Sequence, residues 1–229
     1  MGLIIKQDHT TWCRESLMEF DLLRAYLAGL KQHLVNEGKR FHNDIETVVL
    51  DENDEYPRVV SFFRGLDDET WALEHVFTQH FPNLLLRSTL VSFYAFIEIT
   101  LDTLCYRFFR YLKLSVSVSD MKDKGINRAK RYLSKLCNID FSTLSSWQEL
   151  KNIAKVRNLI THADSRINAS PSHTSLLPYV ESSPFLRYVE SSPFLRLDGD
   201  ELILSPEYIE HFLNVIQNLI EEIGIQIKT

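Results

Sequence analysis

Residues 84–112 read LLLRSTLVSFYAFIEITLDTLCYRFFRYL and are the most apolar stretch of the chain. Its large apolar residues recur at the spacing of one buried helix face: Leu90, Phe93, Ile97, Leu101, Leu104 and Phe108. The stretch is interrupted by Arg87, Glu98 and Asp102, and such charges are unusual in a helix that crosses a membrane. We therefore expect a long helix packed at the centre of a helical domain, and no membrane span.

Helical signals also dominate the first half of the chain. Seven glycines and seven prolines among 229 residues are few, which favours long helices over frequent turns. A heptad-like stripe of apolar residues predicts a first helix over about 14–37 that ends at Gly38. Helical character is expected to continue towards an acidic loop at 51–57, and residues 67–81 are predicted to form a helix that Pro82 closes.

Three more helices are predicted in the second half. Residues 125–137 give a short basic helix. The next helix, over 146–168, begins with Ser146 and Glu149, which have the S-x-x-E spacing of a capping box. A final helix is expected after the Ser-Pro pair at 205–206, where serine caps the helix and proline fits its first position.

The segment before the final helix carries the signals of a β-hairpin and a repeat. Residues 194–205 read FLRLDGDELILS, two short apolar runs around Asp-Gly, which predicts a hairpin. The nine residues YVESSPFLR occur at 179–187 and again at 188–196. Two short copies are too few for a solenoid, so we interpret them as a duplication in a tolerant surface loop, with a functional repeat as the alternative. The sequence thus predicts one domain over 1–229, an all-α bundle with a loop and β-hairpin insertion at 168–205.

The charges of the chain are unevenly distributed. The net charge is −6, but residues 107–166 contain 13 Lys and Arg against 5 Asp and Glu, a local balance of +8, while the rest of the chain carries −14. A local basic patch is sufficient to displace counterions from a polyanion. The segment therefore suggests phosphate binding, and the alternative is that its basic residues only solvate an exposed helix.

The sequence argues against several classes of site. Cys13, Cys105 and Cys137 are widely spaced and form no ligand set, so we expect reduced thiols. The histidines show no HxH or HExxH spacing, which argues against a metal site. The lack of a glycine-rich phosphate loop and of a G-x-S-x-G elbow argues against nucleotide hydrolases and serine hydrolases. With no signal-peptide pattern at the N-terminus, we expect a cytoplasmic protein without cofactor or metal.

Within the basic segment, residues 156–164 read VRNLITHAD. On a helix, Asn158 and His162 share a face, whereas Arg157 and His162 project about 140° apart. Arg157 then lies at the border of the apolar face. Each residue also has a purely structural interpretation: His162 as a surface histidine, and Arg157 as an ion-pair partner, for example of Glu98.

The three polar residues of this motif suit the cleavage of RNA without a metal. That reaction uses the 2′-OH of the RNA as an internal nucleophile. His162 can act as general acid or base because imidazole titrates near neutral pH. Arg157 can stabilise the crowded phosphate oxygens, since a guanidinium stays charged and makes forked contacts. Asn158 can bond a phosphate or sugar oxygen, or orient the imidazole.

The motif resembles the R-(polar)-x-x-x-H signature of the HEPN superfamily of α-helical domains. LLRSTLVSFYAFIEITLDTL at 85–104 resembles the second core helix of the family with its internal glutamate, and LILSPEYIEHFL at 202–213 resembles its final helix. The similarity covers most of residues 14–227, but only the Arg-Asn…His motif is specific. One toxin branch has a tyrosine two positions after the histidine. This chain has Asp164 there, so regulation through such a tyrosine is not implied.

The resemblance implies a metal-independent endoribonuclease in a toxin–antitoxin or antiphage setting. It also implies a homodimer, in which two motif helices form a composite site, because one chain offers a single imidazole. The alternative is a non-catalytic module that has only a docking role and binds RNA, nucleotide or a partner protein. Besides RNA and a second copy, an antitoxin or another regulatory protein is a candidate partner.

These considerations give a defined set of candidate residues. The predicted catalytic residues are Arg157, Asn158 and His162, with Glu98 in a supporting role. The predicted RNA-binding residues are Lys155, Arg166, Arg128, Lys130 and Arg131.

Overall fold

The computed structural model describes residues 2–50, 56–169, 176–182 and 194–228. The described part of the chain is mostly helical, which confirms the expected helical class. In chain order its helices and strands are α1 (Gly2–Asp44), β1 (Glu46–Leu50), β2 (Arg58–Phe63), β3 (Leu66–Asp67), α2 (Leu73–His75), α3 (Phe81–Tyr111), α4 (Gly125–Leu136), α5 (Ser145–Ala163), α6 (Leu177–Ser182), β4 (Leu195–Asp198), β5 (Glu201–Leu204) and α7 (Pro206–Lys228).

Helix α3 is the centre of the bundle. It packs against α1, α4, α5 and α7, and core residues such as Leu90 and Ile97 have no exposed surface. This confirms the helix predicted from the apolar stretch 84–112. Among the described residues, the helical stretch Leu73–Tyr111 is long and apolar enough to cross a membrane by length and composition, and 50% of its most apolar window is buried inside the protein.

Pro82 does not close a helix, contrary to the prediction for residues 67–81. A π-helical turn, Val76–His80, runs directly into α3, and Pro82 lies in the first turn of α3. Proline lacks an N–H and its ring needs room, which a widened turn just before it provides. The acidic start of this stretch is a turn instead of a helix, because the Asp67 carboxylate accepts a hydrogen bond from the Thr70 N–H at 2.7 Å.

Gly38 does not end the first helix either, since α1 continues to Asp44. The extension is held by a second apolar cluster outside the main core. In it, the Phe41 ring lies 5.3 Å from the Phe63 ring and 5.5 Å from the Phe77 ring, measured between centroids. Burying Phe41 outweighs the roughly 1 kcal/mol that a glycine costs inside a helix.

A three-stranded antiparallel sheet stands where helical character was expected. Strands β1 and β2 pair on either side of the predicted acidic loop, with Val48 opposite Val60, and β3 pairs with β2. Residues 51–55 of that loop lie outside the described residues. The missed signal is the β-branched run on each side of a turn-rich stretch. The predicted hairpin before the last helix is therefore one of two sheets in the described residues.

The elements predicted at the end of the chain are confirmed. Strands β4 and β5 form a two-stranded antiparallel hairpin, with Gly199 in its turn at φ +62°. Ser205 caps α7, since its hydroxyl accepts a hydrogen bond from the Tyr208 N–H at 3.3 Å, and Pro206 is the first residue of the helix. The hairpin and α7 thus bring the last quarter of the chain back onto α3.

The duplicated nine-residue segment lies mostly outside the described residues. Tyr179 and Val180 of the first copy belong to α6, and Leu195 and Arg196 of the second copy belong to β4. Val180 is 3% exposed and Leu195 is 1% exposed, so both copies contribute to the core. The interpretation of residues 179–196 as a surface loop is therefore wrong for these two ends, and residues 183–193 lie outside the described part.

Candidate active site

Helix α5 carries the predicted motif and is fixed along its buried face. Ile153, Val156 and Leu159 are fully buried between α3 and α7. The helix begins at Ser145, close to the predicted Ser146. This packing, and not helix propensity alone, determines which side chains of α5 face solvent.

The predicted capping box at the start of α5 is wrong. The Ser145 hydroxyl and N–H both donate to the Glu222 carboxylate of α7, at 2.5 and 3.2 Å, and the Ser146 N–H donates to it at 3.3 Å. Glu149 instead bonds the Tyr179 hydroxyl and the His211 ring. A glutamate distant in sequence therefore satisfies the free N–H groups of the first turn.

The end of α5 also differs from the prediction, which extended it to residue 168. The helix ends at Ala163, because Asp164 and Ser165 adopt left-handed conformations with φ of +46° and +65°. The Asp164 and Ser165 N–H groups both donate to the Leu159 carbonyl, the second at 3.2 Å, and so close the end of the helix. His162 therefore lies in the last turn of the helix.

Asp164 is held in this conformation by a buried arginine that the sequence reading did not assign to the site. Arg87 of α3 is 4% exposed, its Nη1 lies 3.2 Å from Asp164 Oδ1, and its Nη2 contacts the Glu201 carboxylate of β5. Asn83 donates to Glu201 at 3.2 Å and accepts from the Leu204 N–H at 3.0 Å. The network ties the end of the motif helix to the hairpin. The sequence signal for Arg87 is a charged residue in an apolar helix, two turns before Tyr94 and on the same helix face.

Arg157 lies half-buried against helix α3. Its guanidinium carbon is 5.3 Å from the centroid of the Tyr94 ring, and its Nη1 donates to the Asn158 side-chain oxygen at 3.1 Å. Its Nε is buried and has no hydrogen-bond partner among the described residues. Burial raises the pKa of Tyr94, the charge of Glu98 raises it further, and Arg157 opposes both. Tyr94 therefore presents a neutral aromatic face to the cation.

Asn158 and His162 are exposed on the surface of α5. They are one turn apart on the same face, as predicted, and Arg157 projects from the border of the buried face. Asn158 accepts a hydrogen bond from Arg157. Within the described residues, no hydrogen bond to the His162 ring is recorded. Asn158 thus orients the guanidinium in this structure and not the imidazole.

Glu98 does not pair with Arg157 in the described structure. Its carboxylate instead packs against Gly125, the first residue of α4, where φ is +54° and a Cβ would collide with it. A carboxylate at a helix N-terminus is stabilised by the free N–H groups and the helix dipole. Tyr94, Glu98 and Asp102 all make polar contacts between helices, since Tyr94 meets α5 while the two acids meet α4.

Three of the predicted RNA-binding arginines are paired with carboxylates. Arg128 contacts Asp102 of α3, and Arg131 Nε lies 2.7 Å from Asp123 Oδ2. Arg166 Nη1 lies 3.1 Å from a carboxylate oxygen in the turn between β4 and β5. Paired charges of this kind neutralise each other and attract a polyanion less than free ones.

The two predicted RNA-binding lysines are placed differently. Lys130 Nζ lies 5.7 Å from the centroid of the Trp147 ring, and Lys155 is exposed on α5. In the described part of the chain, neither ammonium is recorded in an ion pair. Their charges are therefore accessible to an anion.

A second polar cluster lies between α5, α6 and α7. The Glu149 carboxylate accepts hydrogen bonds from the Tyr179 hydroxyl at 2.5 Å and from His211 Nε2 at 3.0 Å. Burial on its own would raise the pKa of Glu149, but the bonds from His211 and Tyr179 outweigh it and lower that pKa. Burial also raises the pKa of Tyr179. The cluster anchors α6 to the bundle on the side of α5 away from His162.

The described residues contain no group of three or more His, Cys, Asp and Glu arranged to hold a metal. Within the described residues Cys13, Cys105 and Cys137 form no disulfide, and burial raises the pKa of Cys137 to about 12. What the site offers is a fixed, half-buried guanidinium beside an exposed amide and imidazole on one helix.

Comparisons of the chain with protein-family models, with curated proteins and with solved structures found no match.

Proposed function

We propose that the protein is a metal-independent endoribonuclease of the HEPN type. The observation that supports this most directly is the placement of Arg157. Its guanidinium is held on the Tyr94 ring and by Asn158, and Asn158 lies one turn from the exposed His162 on the same helix face. A cation fixed before the substrate arrives stabilises developing negative charge without reorganisation.

In the proposed reaction, the 2′-oxygen of a ribose attacks the adjacent phosphorus. The new bond to the 2′-oxygen forms as the bond to the 5′-oxygen of the next nucleotide breaks. An imidazole accepts the 2′-OH proton, and an imidazolium donates a proton to the departing 5′-oxygen. The products are a 2′,3′-cyclic phosphate and a 5′-OH end. Arg157 neutralises charge on the non-bridging oxygens of the phosphate.

Two proton transfers are served best by two imidazoles, and each chain supplies one at this motif. We therefore place the site at a two-fold axis between α5 helices of two copies, where His162 and Arg157 of both chains surround one phosphate. Asn158 and His162 are exposed and so accessible to such a partner. An interface of this kind is isologous. The setting proposed from the resemblance is cytoplasmic toxin–antitoxin or antiphage defence, with a regulatory protein as a further partner.

The proposal is tested by incubating the purified protein with a mixed RNA pool in EDTA and analysing the ends of the fragments. Cleavage should persist in EDTA and leave 2′,3′-cyclic phosphate ends. His162→Ala should lower the rate about 10²- to 10⁴-fold, and Arg157→Ala about 10²- to 10³-fold. His33→Ala and Arg14→Ala are matched controls, because both side chains are exposed on α1.

Activity that disappears in EDTA and returns with Mg²⁺ would exclude this mechanism. So would His162→Ala protein that cleaves at the wild-type rate while its helical content is unchanged.

The alternative is a non-catalytic module that binds RNA, nucleotide or a partner protein. It is favoured by one observation: among the described residues no side chain forms a hydrogen bond with the His162 ring, so the described part of one chain does not fix the imidazole. The non-catalytic module would be supported if the dimeric protein binds RNA but does not cleave the RNA pool at any pH tested.

A further inference from the structure

Exposed side chains on α5 align with His162 along one face of the helix. Lys151, Lys155, Asn158 and His162 are spaced by four, three and four residues, so they lie on one stripe. Lys155, Asn158 and His162 are exposed and Lys151 is partly exposed. Successive members of the stripe are about 5 to 6 Å apart along the helix axis.

A third lysine extends this stripe towards the start of α5. Lys130 of α4 lies with its Nζ 5.7 Å from the centroid of the Trp147 ring, and Trp147 is one turn before Lys151. We call Lys130, Lys151 and Lys155 the lysine row. Along the axis of α5 it covers about 12 Å from Trp147 to Lys155, and His162 lies about 10 Å further along the helix.

A groove on α4 continues the lysine row. It has a volume of about 370 Å³ and is lined by Asp123, Asn127, Lys130, Arg131, Ser134 and Lys135. Its single carboxylate, Asp123, is paired with Arg131. Lys130 and Lys135 are not recorded in an ion pair within the described residues, so the groove is open to an anion.

The acidic groups near the row are themselves engaged. Asp164, at the end next to His162, pairs with Arg87, and Asp102 pairs with Arg128. Glu149 lies on another side of α5 and bonds His211. Within the described residues the lysines of the row are in no ion pair, whereas Arg128, Arg131 and Arg166 are paired with neighbouring carboxylates.

We propose that the lysine row binds the phosphate backbone of one single strand of RNA and leads it into the motif. This deepens the proposed function, on which it rests, by naming the path of the substrate. A row of lysines along α5, extended by one lysine of α4, can follow one strand at successive phosphates. Phosphate contacts of lysine position a strand without reading its bases. Among the residues predicted from sequence, this path retains Lys130 and Lys155, adds Lys151, and leaves out Arg128, Arg131 and Arg166.

The test is a salt titration of binding to a labelled oligouridine of about 20 nucleotides. It uses full-length protein that carries His162→Ala, so that the probe is not cut. Lys151→Gln with Lys155→Gln should flatten the slope of log K against log salt by about 1.4, because each lost contact to a single strand removes about 0.7. The corresponding loss of affinity is about 25-fold at 0.1 M salt.

The matched control is Arg14→Gln with Lys39→Gln, two exposed cations of α1 whose loss changes the net charge equally. Its slope should equal that of the parent. Lys151→Arg with Lys155→Arg should keep the parent slope, since the charge is retained.

An unchanged slope in the Lys151/Lys155 variant, or an equal change in the control, would overturn the lysine row. Cleavage by the wild-type protein is measured separately. If the pool is cleaved but the slope does not respond, the row fails and the proposed function stands. If the slope responds as expected but no RNA is cleaved, the row stands and the nuclease proposal fails.

Discussion

Arg157 keeps its charge while losing part of its hydration, because the Tyr94 ring covers one face of the guanidinium. Tyr94 in turn is 3% exposed and stacks on Phe212 of α7, with ring centroids 6.2 Å apart. The position of the cation is thus fixed through the core of the bundle. A rigid cation of this kind loses little entropy when a phosphate binds.

At the same scale, Tyr94→Phe and Tyr94→Leu separate the role of the ring from that of the hydroxyl. Tyr94→Phe keeps the aromatic face and should cleave RNA at close to the wild-type rate. Tyr94→Leu removes it and should lower the rate about 2- to 30-fold, which corresponds to a cation–π contribution of about 0.5 to 2 kcal/mol. Single-turnover cleavage measures both. An equal loss in the two variants would mean that the ring is not what positions Arg157.

The lowered pKa of Glu149 predicts how the free energy of unfolding depends on pH. Its folded pKa is lowered from 4.5, so near that pH the unfolded chain binds more protons than the folded one. The stabilisation is therefore present above pH 4.5 and is lost as pH falls through the lowered folded pKa. Glu149→Gln should reduce stability by about 1 to 3 kcal/mol at neutral pH and make its acid dependence shallower. Urea unfolding at several pH values measures this, with the exposed Glu19→Gln as control. Acid limbs of equal steepness in wild type and Glu149→Gln would contradict it.

At the scale of elements, two glycines should respond in opposite ways to alanine. Gly38 lies inside α1 with open space around the position of a Cβ, so Gly38→Ala should stabilise the protein by about 0.5 to 1 kcal/mol. Gly125 has a φ of +54° and the Glu98 carboxylate against it. Gly125→Ala should destabilise the protein by about 1 to 3 kcal/mol. Thermal unfolding of both variants decides this, and a stabilising Gly125→Ala would show that α4 does not begin as described.

Elements with a strong local period were predictable from sequence, and those that depend on distant contacts were not. The stripes of α3 and α7 are visible because their buried residues repeat every three or four positions. The continuation of α1 past Gly38 depends on Phe63 and Phe77, which are distant in sequence. Pro82 predicts the end of a helix only if the turn before it is assumed to be α-helical.

The candidate site also has a part that was predictable from the sequence and a part that was not. The motif residues and their faces on α5 follow from spacing alone, and the structure bears out that Asn158 and His162 share an exposed face. The environment of Arg157 could not be predicted from the spacing. Tyr94 and Glu98 are one turn apart on α3, and which of them contacts Arg157 depends on how α3 and α5 are rotated against each other. A count of charges likewise could not predict that Arg128 and Arg131 pair with acidic residues of other segments.

For the whole molecule, the composite site predicts complementation between two inactive chains. A heterodimer of His162→Ala and Arg157→Ala chains retains one imidazole and one guanidinium at a shared site. Mixing the two variants should therefore restore part of the cleavage activity that neither has alone, after enough time for subunits to exchange. Sedimentation should show dimers in each sample, and a mixture of two His162→Ala preparations is the control. A mixture that forms heterodimers without regaining activity, or a fully active monomer, would argue against a shared site.

The cap that Glu222 gives to α5 has a consequence for the order in which the protein is made. The motif helix leaves the ribosome before the residue that closes its first turn, and α7 must also arrive before Ile153 and Val156 are covered. Ser145 and Glu222 are 77 residues apart, which at about 5 to 20 residues per second corresponds to roughly 4 to 15 s of translation. During that interval the first N–H groups of α5 lack their partner. The motif helix is therefore fully fixed only after α7 has been made, and in the nuclease proposed above this order of synthesis would protect the RNA on which the chain is being translated.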